Sequence, residues 1–201
     1  MRLRLVIALA LLIVVSRAHV SAQATDPMAA LSGGWKLNMD ASINPNGPDG
    51  AGARAGRSGG GSSDRVNVGP PPGGDLGKEE LQRFNTHLAM FRKASPLLGV
   101  QLTAKDVVLA FDPDPSKGMT YKYTTDGKKT VMPTPGGPVD VKVKWNGKVL
   151  RREIESKESL KVVEEYTPSA DGKQLTVTVE TTNIMVRMVK TEIKRVYDRV
   201  Q

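Results

Sequence analysis

The chain has 201 residues, 29 of them basic and 21 acidic, and its formal net charge is +8 at pH 7. It contains no cysteine, which excludes a disulfide framework, a thiol nucleophile and a zinc site built on cysteine. It has only two histidines, so the nitrogen and sulfur ligands that zinc and copper prefer are too few for such a site. The composition therefore predicts a protein without a metal ion or another cofactor.

The first 22 residues are predicted to be a cleavable signal peptide. Arg2 and Arg4 precede an unbroken apolar run from Leu5 to Val15, and small residues follow at 20–22. This apolar run is too short to cross a bilayer, which takes roughly 20 helical residues. We therefore expect a secreted or periplasmic protein with no transmembrane segment after cleavage. The alternative is an uncleaved membrane anchor.

The charge of the remaining chain points to no particular polymer partner. Its basic residues alternate with apolar or acidic neighbours, as residues on the solvent side of strands do. This pattern favours an ordinary solvated surface over a nucleic-acid site, although weak attraction to an anionic envelope polymer stays open.

The rest of the chain divides into regions of unlike composition. Residues 23–40 form a first strand region, and residues 41–77 form a loop rich in glycine and proline with few large apolar side chains. Such a segment cannot bury enough surface to offset its ordering entropy, so we predict a disordered loop. Residues 78–95 are predicted to form an amphipathic helix. Residues 97–201 form a β meander that makes one domain with 23–40.

The helix is predicted from a single apolar stripe. Its members recur at helical spacing and are Leu81, Phe84, Leu88 and Phe91. Asp75 is a suitable N-terminal cap, and the pair Ser95-Pro96 ends the helix. His87 lies at the edge of the stripe, which favours a half-buried core histidine over a catalytic base.

Nine further strands are predicted from segments rich in valine, threonine, tyrosine and isoleucine. They lie near residues 98–103, 106–112, 119–124, 128–132, 139–145, 148–156, 160–167, 173–180 and 185–198. Tight hairpins are predicted at Asp126-Gly127, Asn146-Gly147 and Asp171-Gly172. No helical pattern intervenes, so the sequence predicts an antiparallel up-and-down meander and excludes an α/β fold.

A long meander leaves unpaired edges unless the sheet curls on itself. The isolated strand around Trp35 is a natural partner for the last strand near 192–198. We therefore expect a mostly β barrel or half-barrel, with the long loop and the helix inserted after its first strand. The helix is expected to cover the mouth of the barrel or the concave face of the sheet.

These residues resemble the lipocalin-like barrels. Gly33 and Trp35 form the Gly-x-Trp that begins the first strand in that family. The resemblance implies an arginine on the last strand that packs over this tryptophan, supplied by Arg195 or Arg199. The long glycine-rich loop and the missing disulfide depart from the family pattern.

The chain is also similar to a group of uncharacterised secreted bacterial proteins with lipocalin-like features. The similarity lies in the Gly-x-Trp-Lys-Leu-Asn start at 33–38 and in two β segments, 144–147 and 169–177.

Two charged residues fall on strand faces that are otherwise apolar. Arg152 lies between Leu150 and Ile154, and Glu164 shares a face with Tyr166. A charge on an inward face is costly unless it is paired or solvated. The charges either orient the polar end of a ligand in a barrel cavity, or they face water or form an isolated ion pair at the rim.

Aromatic residues complete the predicted ligand site. Tyr121 and Tyr123 share one face of a strand, where they either stack on a ligand or pack across strands. Trp145 ends the apolar face of residues 139–145. The predicted ligand-binding residues are Tyr121, Tyr123, Trp145, Arg152, Glu164 and Tyr166.

No catalytic constellation is recognised, and no serine lies in a Gly-x-Ser-x-Gly context. The sequence favours a monomer that binds a small, mostly apolar molecule or lipid without catalysis inside a β-barrel. The alternative is an envelope-associated structural or interaction module with a filled core. A hydrolase that uses His87 with a nearby acid is less favoured.

Overall fold

A computed structural model describes residues 26–47, 77–112, 118–158, 160–183 and 193–200. The predicted signal peptide, most of the predicted loop, Asp75 and residues 184–192 lie outside the described residues. Two helices are described, α1 (Pro27–Leu31) and α2 (Lys78–Arg92). The ten strands are β1 (Gly33–Ile43), β2 (Leu97–Leu102), β3 (Asp106–Phe111), β4 (Met119–Thr124), β5 (Asp126–Met132), β6 (Val139–Asn146), β7 (Val149–Glu155), β8 (Leu160–Pro168), β9 (Gln174–Asn183) and β10 (Ile193–Val200).

The ten strands form one antiparallel sheet in the order β4-β3-β2-β1-β10-β9-β8-β7-β6-β5. The first strand pairs with the last, and Trp35 lies opposite Arg199. This pairing curls the meander into a nearly closed barrel. The predicted fold class, a mostly β up-and-down meander with an amphipathic helix, is confirmed.

The barrel is not sealed by a backbone ladder between β4 and β5, which are the two edges of the sheet. The hairpin predicted at Asp126-Gly127 is therefore wrong. Asp126 accepts hydrogen bonds from Thr124 Oγ1 and Lys128 N, and Gly127, with φ +76°, lies at a register irregularity of β5. The Asp-Gly pair turns the chain there without pairing its flanking strands. We call the junction of β4 and β5 the seam.

Side chains close the seam on its inner side. Tyr123 of β4 donates its hydroxyl hydrogen to Met132 Sδ of β5 over 2.9 Å, and both residues are buried. The other two predicted hairpins are present, with positive φ at Gly147 and Gly172.

One end of the barrel is closed by α1, which the sequence did not predict. Leu31 of α1 is fully buried, and its carbonyl accepts a hydrogen bond from Trp35 Nε1 at 3.1 Å. The guanidinium of Arg199 lies 4.3 Å from the centre of the Trp35 ring. Gly33 has φ +141°, and a Cβ there would stand 2.5 Å from Arg199 Nη1. Only glycine therefore fits beside this arginine.

The opposite end of the barrel carries α2. Phe84 and Phe91 are buried in the barrel core, and Leu88 is half-buried. Leu81 was predicted to complete the apolar stripe, but it is exposed because all of residues 77–82 face solvent. None of the described helices is long and apolar enough to span a bilayer.

Arg195 lies at the α2 end and not over Trp35. Its Nε donates to Pro45 O, and its Nη2 donates to Phe91 O and Arg92 O, at 2.8–3.0 Å. A buried positive charge is favourable there, because the carbonyls at a helix C-terminus carry partial negative charge. Arg195 therefore fixes the end of α2 to the barrel.

Candidate functional site

The barrel interior is lined by the alternate residues of each strand and is closely packed. The side chains of Leu109, Leu150, Val162 and Leu175 are fully buried. A space that admitted water would leave accessible area on the side chains around it. The apolar part of the interior that these residues line is therefore filled by side chains.

An ion pair lies within this apolar interior. Arg152 on β7 is opposite Glu164 on β8, and Arg152 Nε lies 3.0 Å from Glu164 Oε2. Tyr166 donates its hydroxyl hydrogen to the same carboxylate oxygen over 2.5 Å. Arg152 and Glu164 are only 3% and 2% exposed. The two charges that strand alternation assigns to inward faces are thus paired inside the barrel.

The pairing leaves part of the guanidinium unused. Arg152 Nη1 is buried and has no hydrogen-bond acceptor among the described residues. Burial pulls the pKa of Arg152 down, but Glu164, together with the neighbouring Tyr166 and Tyr123, outweighs it and holds the pKa above its usual value. The interior therefore contains a cation with at least one hydrogen-bond donor still available.

Aromatic rings form a wall beside this guanidinium. The Arg152 side chain lies 5.1 Å from the Phe111 ring centre and 5.9 Å from that of Tyr123. Tyr121 stacks on Tyr123 with centroids 6.2 Å apart. Burial raises the pKa of Tyr123 to about 12. Phe111 and Tyr121 are only half-buried, so the wall borders solvent on this side.

Five of the six predicted ligand residues thus belong to one cluster, which we call the Arg152 cluster. Its members are Phe111, Tyr121, Tyr123, Met132, Arg152, Glu164 and Tyr166. The sequence interpretation missed Phe111 and Met132. Phe111 was detectable, because it continues the inward alternation of Val107 and Leu109 on β3.

Trp145 is the predicted residue that lies apart from the ion pair. It is opposite Leu150, whereas Arg152 is opposite Val143. Its half-buried ring is therefore displaced by two residues along β6, toward the α1 end of the barrel.

A second buried polar group ties α2 to two loops. His87 is 1% exposed, and its Nε2 lies 2.8 Å from Thr134 Oγ1 and 3.2 Å from Gly137 O. Its Nδ1 lies 3.5 Å from Glu158 Oε2, and Arg83 Nε binds Glu158 Oε1 at 2.8 Å. Burial raises the pKa of Glu158, but the hydrogen bond from Arg83, together with those from Ser156 and from the backbone of Glu158, leaves the pKa lowered.

Thr134, His87 and Glu158 follow one another as the hydroxyl, imidazole and carboxylate of a catalytic triad do, but they lack its chemistry. Thr134 Oγ1 donates its hydrogen to Gly137 O over 2.5 Å, so this hydroxyl has no proton to give to His87. The imidazole is also covered by Gly136, where an added Cβ would stand 2.7 Å from Nε2. The group therefore serves as a connection between α2 and the loops.

An open groove of about 410 Å³ lies on the outer wall of the barrel, away from the Arg152 cluster. It is lined by Lys129, Val131, Pro138, Asp140, Glu155, Ser156 and Lys157. Lys129 and Asp140 already neutralise each other at 2.9 Å. The groove lacks the buried unpaired donor that distinguishes the cluster. In the described part of the chain, no three histidine or acidic side chains are grouped as a metal site.

No family model and no curated protein sequence matches this chain. The structure is similar to a Schistosoma mansoni fatty acid binding protein in complex with arachidonic acid, at 15% identity and a TM-score of 0.52 over 88% of this chain and 100% of that one. It is also similar to apo lipid binding protein 8 of Caenorhabditis elegans, at 12% identity and a TM-score of 0.52, covering 86% and 97% of the two chains.

A third similar structure is a secretory abundant heat soluble protein of Ramazzottius varieornatus, at 11% identity and a TM-score of 0.52, with 85% of this chain and 96% of that one covered. At identities this low, the similarity establishes a shared lipocalin-like barrel fold alone.

Proposed function

We propose that this protein binds a small, mostly apolar molecule inside its barrel, with a hydrogen-bond acceptor of the ligand at Arg152. The observation that carries the proposal is Arg152 Nη1, a buried donor without an acceptor in the described part of the chain.

An arginine in this position is difficult to explain as a stabilising residue. A buried ion pair loses most of its hydration, and well-packed apolar residues in its place are often neutral or stabilising. A donor without a partner adds a further desolvation cost. An acceptor group on a ligand removes that cost, which supports a binding role for the cluster.

The ligand must reach a closely packed interior. Phe111 and Tyr121 are the half-buried members of the cluster, and both lie on the side of the seam. No backbone ladder joins β4 to β5, so these rings can move without breaking strand pairing. The route to Arg152 in this proposal passes beside Phe111 and Tyr121.

The comparisons support this reading through the fold. One of the similar structures is described as a fatty acid binding protein in complex with arachidonic acid. A fold analogy alone does not assign a function, because one fold hosts many functions. The Arg152 cluster supplies the local observation that a fold analogy lacks.

We further propose that the protein acts outside the cytoplasm, as a member of the secreted bacterial group that its sequence resembles. The support is the arrangement of Arg2, Arg4 and the apolar run before residue 22. Expression of the full chain in a bacterium, followed by fractionation and mass measurement, tests this. A periplasmic product that begins near residue 23 is expected, and an uncleaved cytoplasmic product contradicts the proposal.

The second candidate is an envelope-associated structural or interaction module. The observation that favours it is the filled apolar interior around Leu150 and Leu175. This alternative predicts that no small molecule competes for the interior, and that Arg152 contributes only to the fold.

The binding proposal is tested by displacement of the neutral fluorescent probe N-phenylnaphthylamine by methyl dodecanoate. We expect saturable binding at one site and at least tenfold weaker binding to the double variant Arg152→Met/Glu164→Gln. This variant removes both charges together and leaves no unpaired ion in the core.

The chain offers a matched control on the same two strands. Arg151 and Glu165 form an ion pair at 2.5 Å, but their side chains face solvent and are 28% and 38% exposed. The variant Arg151→Met/Glu165→Gln makes the same chemical change on the outer face and should bind the probe as the wild type does. Equal affinity of the two double variants would exclude a ligand at Arg152.

A further inference from the structure

We infer that the Arg152 cluster selects an uncharged acceptor, such as an ester, amide, ketone or alcohol, and discriminates against a free carboxylate. This inference rests on the proposed function and names the chemical class of its ligand. It separates this protein from the fatty acid binding protein to which its fold is similar.

The charge of the cluster is already balanced. Arg152 carries one positive charge, and the carboxylate of Glu164 neutralises it at 3.0 Å. Tyr166 directs its hydroxyl hydrogen to the same carboxylate, so this donor is also used within the cluster. Arg152 therefore still offers a hydrogen-bond donor, but its positive charge is already balanced by Glu164.

Neither the buried Arg195 nor the half-buried Arg199 supplies a second positive charge at this place. Arg195 donates to the carbonyls of Pro45, Phe91 and Arg92 at the α2 end. Arg199 donates to Ser32 O, Ala30 O and Gly172 O at the α1 end. Each offsets the partial negative charge of its carbonyl partners.

The buried carboxylate of Glu158, beside α2, is likewise paired. Arg83 binds Glu158, and His87 Nδ1 faces the same carboxylate. A ligand carboxylate at Arg152 would thus add a second negative charge beside Glu164 in an interior of low polarity. Like charges in one buried site strongly disfavour joint ionisation.

A neutral acceptor avoids this repulsion and still satisfies the unused donor. A carbonyl or ether oxygen accepts from Arg152 Nη1 and leaves the Arg152–Glu164 pair intact. Phe111 and the two tyrosines at 121 and 123 provide the apolar contact for the rest of the molecule. The cluster as built therefore fits an uncharged amphiphile.

The test compares three compounds of one chain length, methyl dodecanoate, dodecanol and dodecanoate, in displacement of N-phenylnaphthylamine from the full chain. At neutral pH we expect the ester and the alcohol to bind at least tenfold more tightly than dodecanoate. Dodecanoate that binds as tightly as the ester overturns the inference and leaves the proposed function standing. No saturable binding of any of the three overturns both.

A charge-switch variant sharpens the comparison. Glu164→Gln removes the negative charge that balances Arg152. We expect the affinity for dodecanoate to rise at least tenfold relative to the affinity for methyl dodecanoate. The control is Glu165→Gln, the neighbouring residue whose side chain lies on the outer face of β8, and we expect no change in preference. An unchanged preference in a folded Glu164→Gln variant contradicts the inference.

A measurement on the wild type keeps the inference testable if Glu164→Gln does not fold. Protonation neutralises dodecanoate as the pH falls toward the pKa of a free carboxylic acid, about 4–5. We expect its affinity relative to methyl dodecanoate to rise as the pH falls from 7 toward 5. A constant ratio of the two affinities across this range would refute the inference.

Discussion

Two arginines inside this barrel differ in what their guanidinium groups do. At the α1 end, Arg199 stacks on Trp35 at 4.3 Å and donates to three backbone carbonyls, of Ser32, Ala30 and Gly172. In the middle of the barrel, Arg152 faces one carboxylate and aromatic rings, and its Nη1 has no acceptor among the described residues.

The difference separates a role in the fold from a role in binding. The donors of Arg199 are used by the chain's own carbonyls, so removal of this arginine would leave partly buried acceptors unpaired. Arg152 and Glu164 pair with each other and with no backbone group, and only the Tyr166 hydroxyl also bonds to this carboxylate. Removal of both charges therefore leaves no buried ion without a partner. Hydrogen-bond partners, and not burial alone, distinguish the two arginines.

The largest expected effect comes from breaking the Arg152–Glu164 pair on one side. Glu164→Gln leaves a buried guanidinium without its counter-charge and should lower the free energy of unfolding by about 3–5 kcal/mol. Arg152→Met/Glu164→Gln should regain this loss and match or exceed the wild type, because the desolvation cost of both charges disappears. Urea denaturation followed by circular dichroism measures both variants.

A double variant that is as unstable as Glu164→Gln would contradict this prediction. The pair would then stabilise the fold, and the contrast with Arg199 would disappear. Arg151→Met/Glu165→Gln on the outer face serves as the control and should change stability little, since exposed pairs contribute about 0–1 kcal/mol.

Arg199→Met replaces the other arginine by methionine, as Arg152→Met does. No second substitution can compensate for it, because the partners of Arg199 are backbone carbonyls. It uncovers Trp35 and leaves three carbonyls without their donor, each worth about 1–3 kcal/mol when buried. Because these carbonyls are only partly buried, we expect a loss of about 3 kcal/mol. The same denaturation experiment applies, and a loss below about 1 kcal/mol would show that Arg199 does not hold the α1 end.

His87→Leu tests whether the buried His87 stabilises the fold, as Arg199 does. His87 joins α2 to Thr134 and Glu158, while Arg83 keeps its own bond to Glu158. We expect a loss of about 1–3 kcal/mol, the usual cost of unpaired buried groups. Hydrogen exchange should accelerate in α2 more than in β7 and β8. Uniform acceleration would mean that His87 does not fix α2 locally.

Alkaline pH tests the environment of Tyr123 with a smaller effect. Its pKa is raised to about 12 by burial, so the folded chain keeps the proton that the unfolded chain loses from about pH 10. The contribution of Tyr123 to the free energy of unfolding should be constant below pH 10. Above pH 10 it should fall by about 1.4 kcal/mol per pH unit.

The variant Tyr123→Phe should remove this part of the alkaline slope. Tyr166 and Tyr197, whose pKa values burial also raises, keep their share. Urea denaturation at pH 9, 10 and 11 gives the comparison. Identical slopes in the variant and the wild type would contradict a buried, neutral Tyr123.

Much of the fold follows from the sequence because its signals are local or strictly periodic. The alternation of apolar and polar residues identified the inward faces of β7 and β8. The strand around Trp35 lies far upstream of the other strands, and this isolation predicted the pairing of β1 with β10. The Arg152 cluster followed in part, since two residues on facing strands can be matched by register.

The predictions that were wrong or incomplete concern features that depend on three-dimensional position. The Asp126-Gly127 pair signals a positive φ but not which strands pair, and here the chain passes between the two sheet edges. The pattern cannot tell Arg195 from Arg199, because both lie on one face of β10 and differ only in which barrel end they reach. Phe111 joins the cluster through curvature that brings β3 across from β7.

The most direct test of ligand binding at Arg152 follows the side-chain Nε–Hε resonances of both arginines by NMR during titration with methyl dodecanoate. We expect a saturable shift of the Arg152 resonance with a matching shift of the Tyr123 ring signals, while the Arg199 resonance stays fixed. An unmoved Arg152 resonance, or shifts confined to residues on the outer wall, would contradict binding inside the barrel.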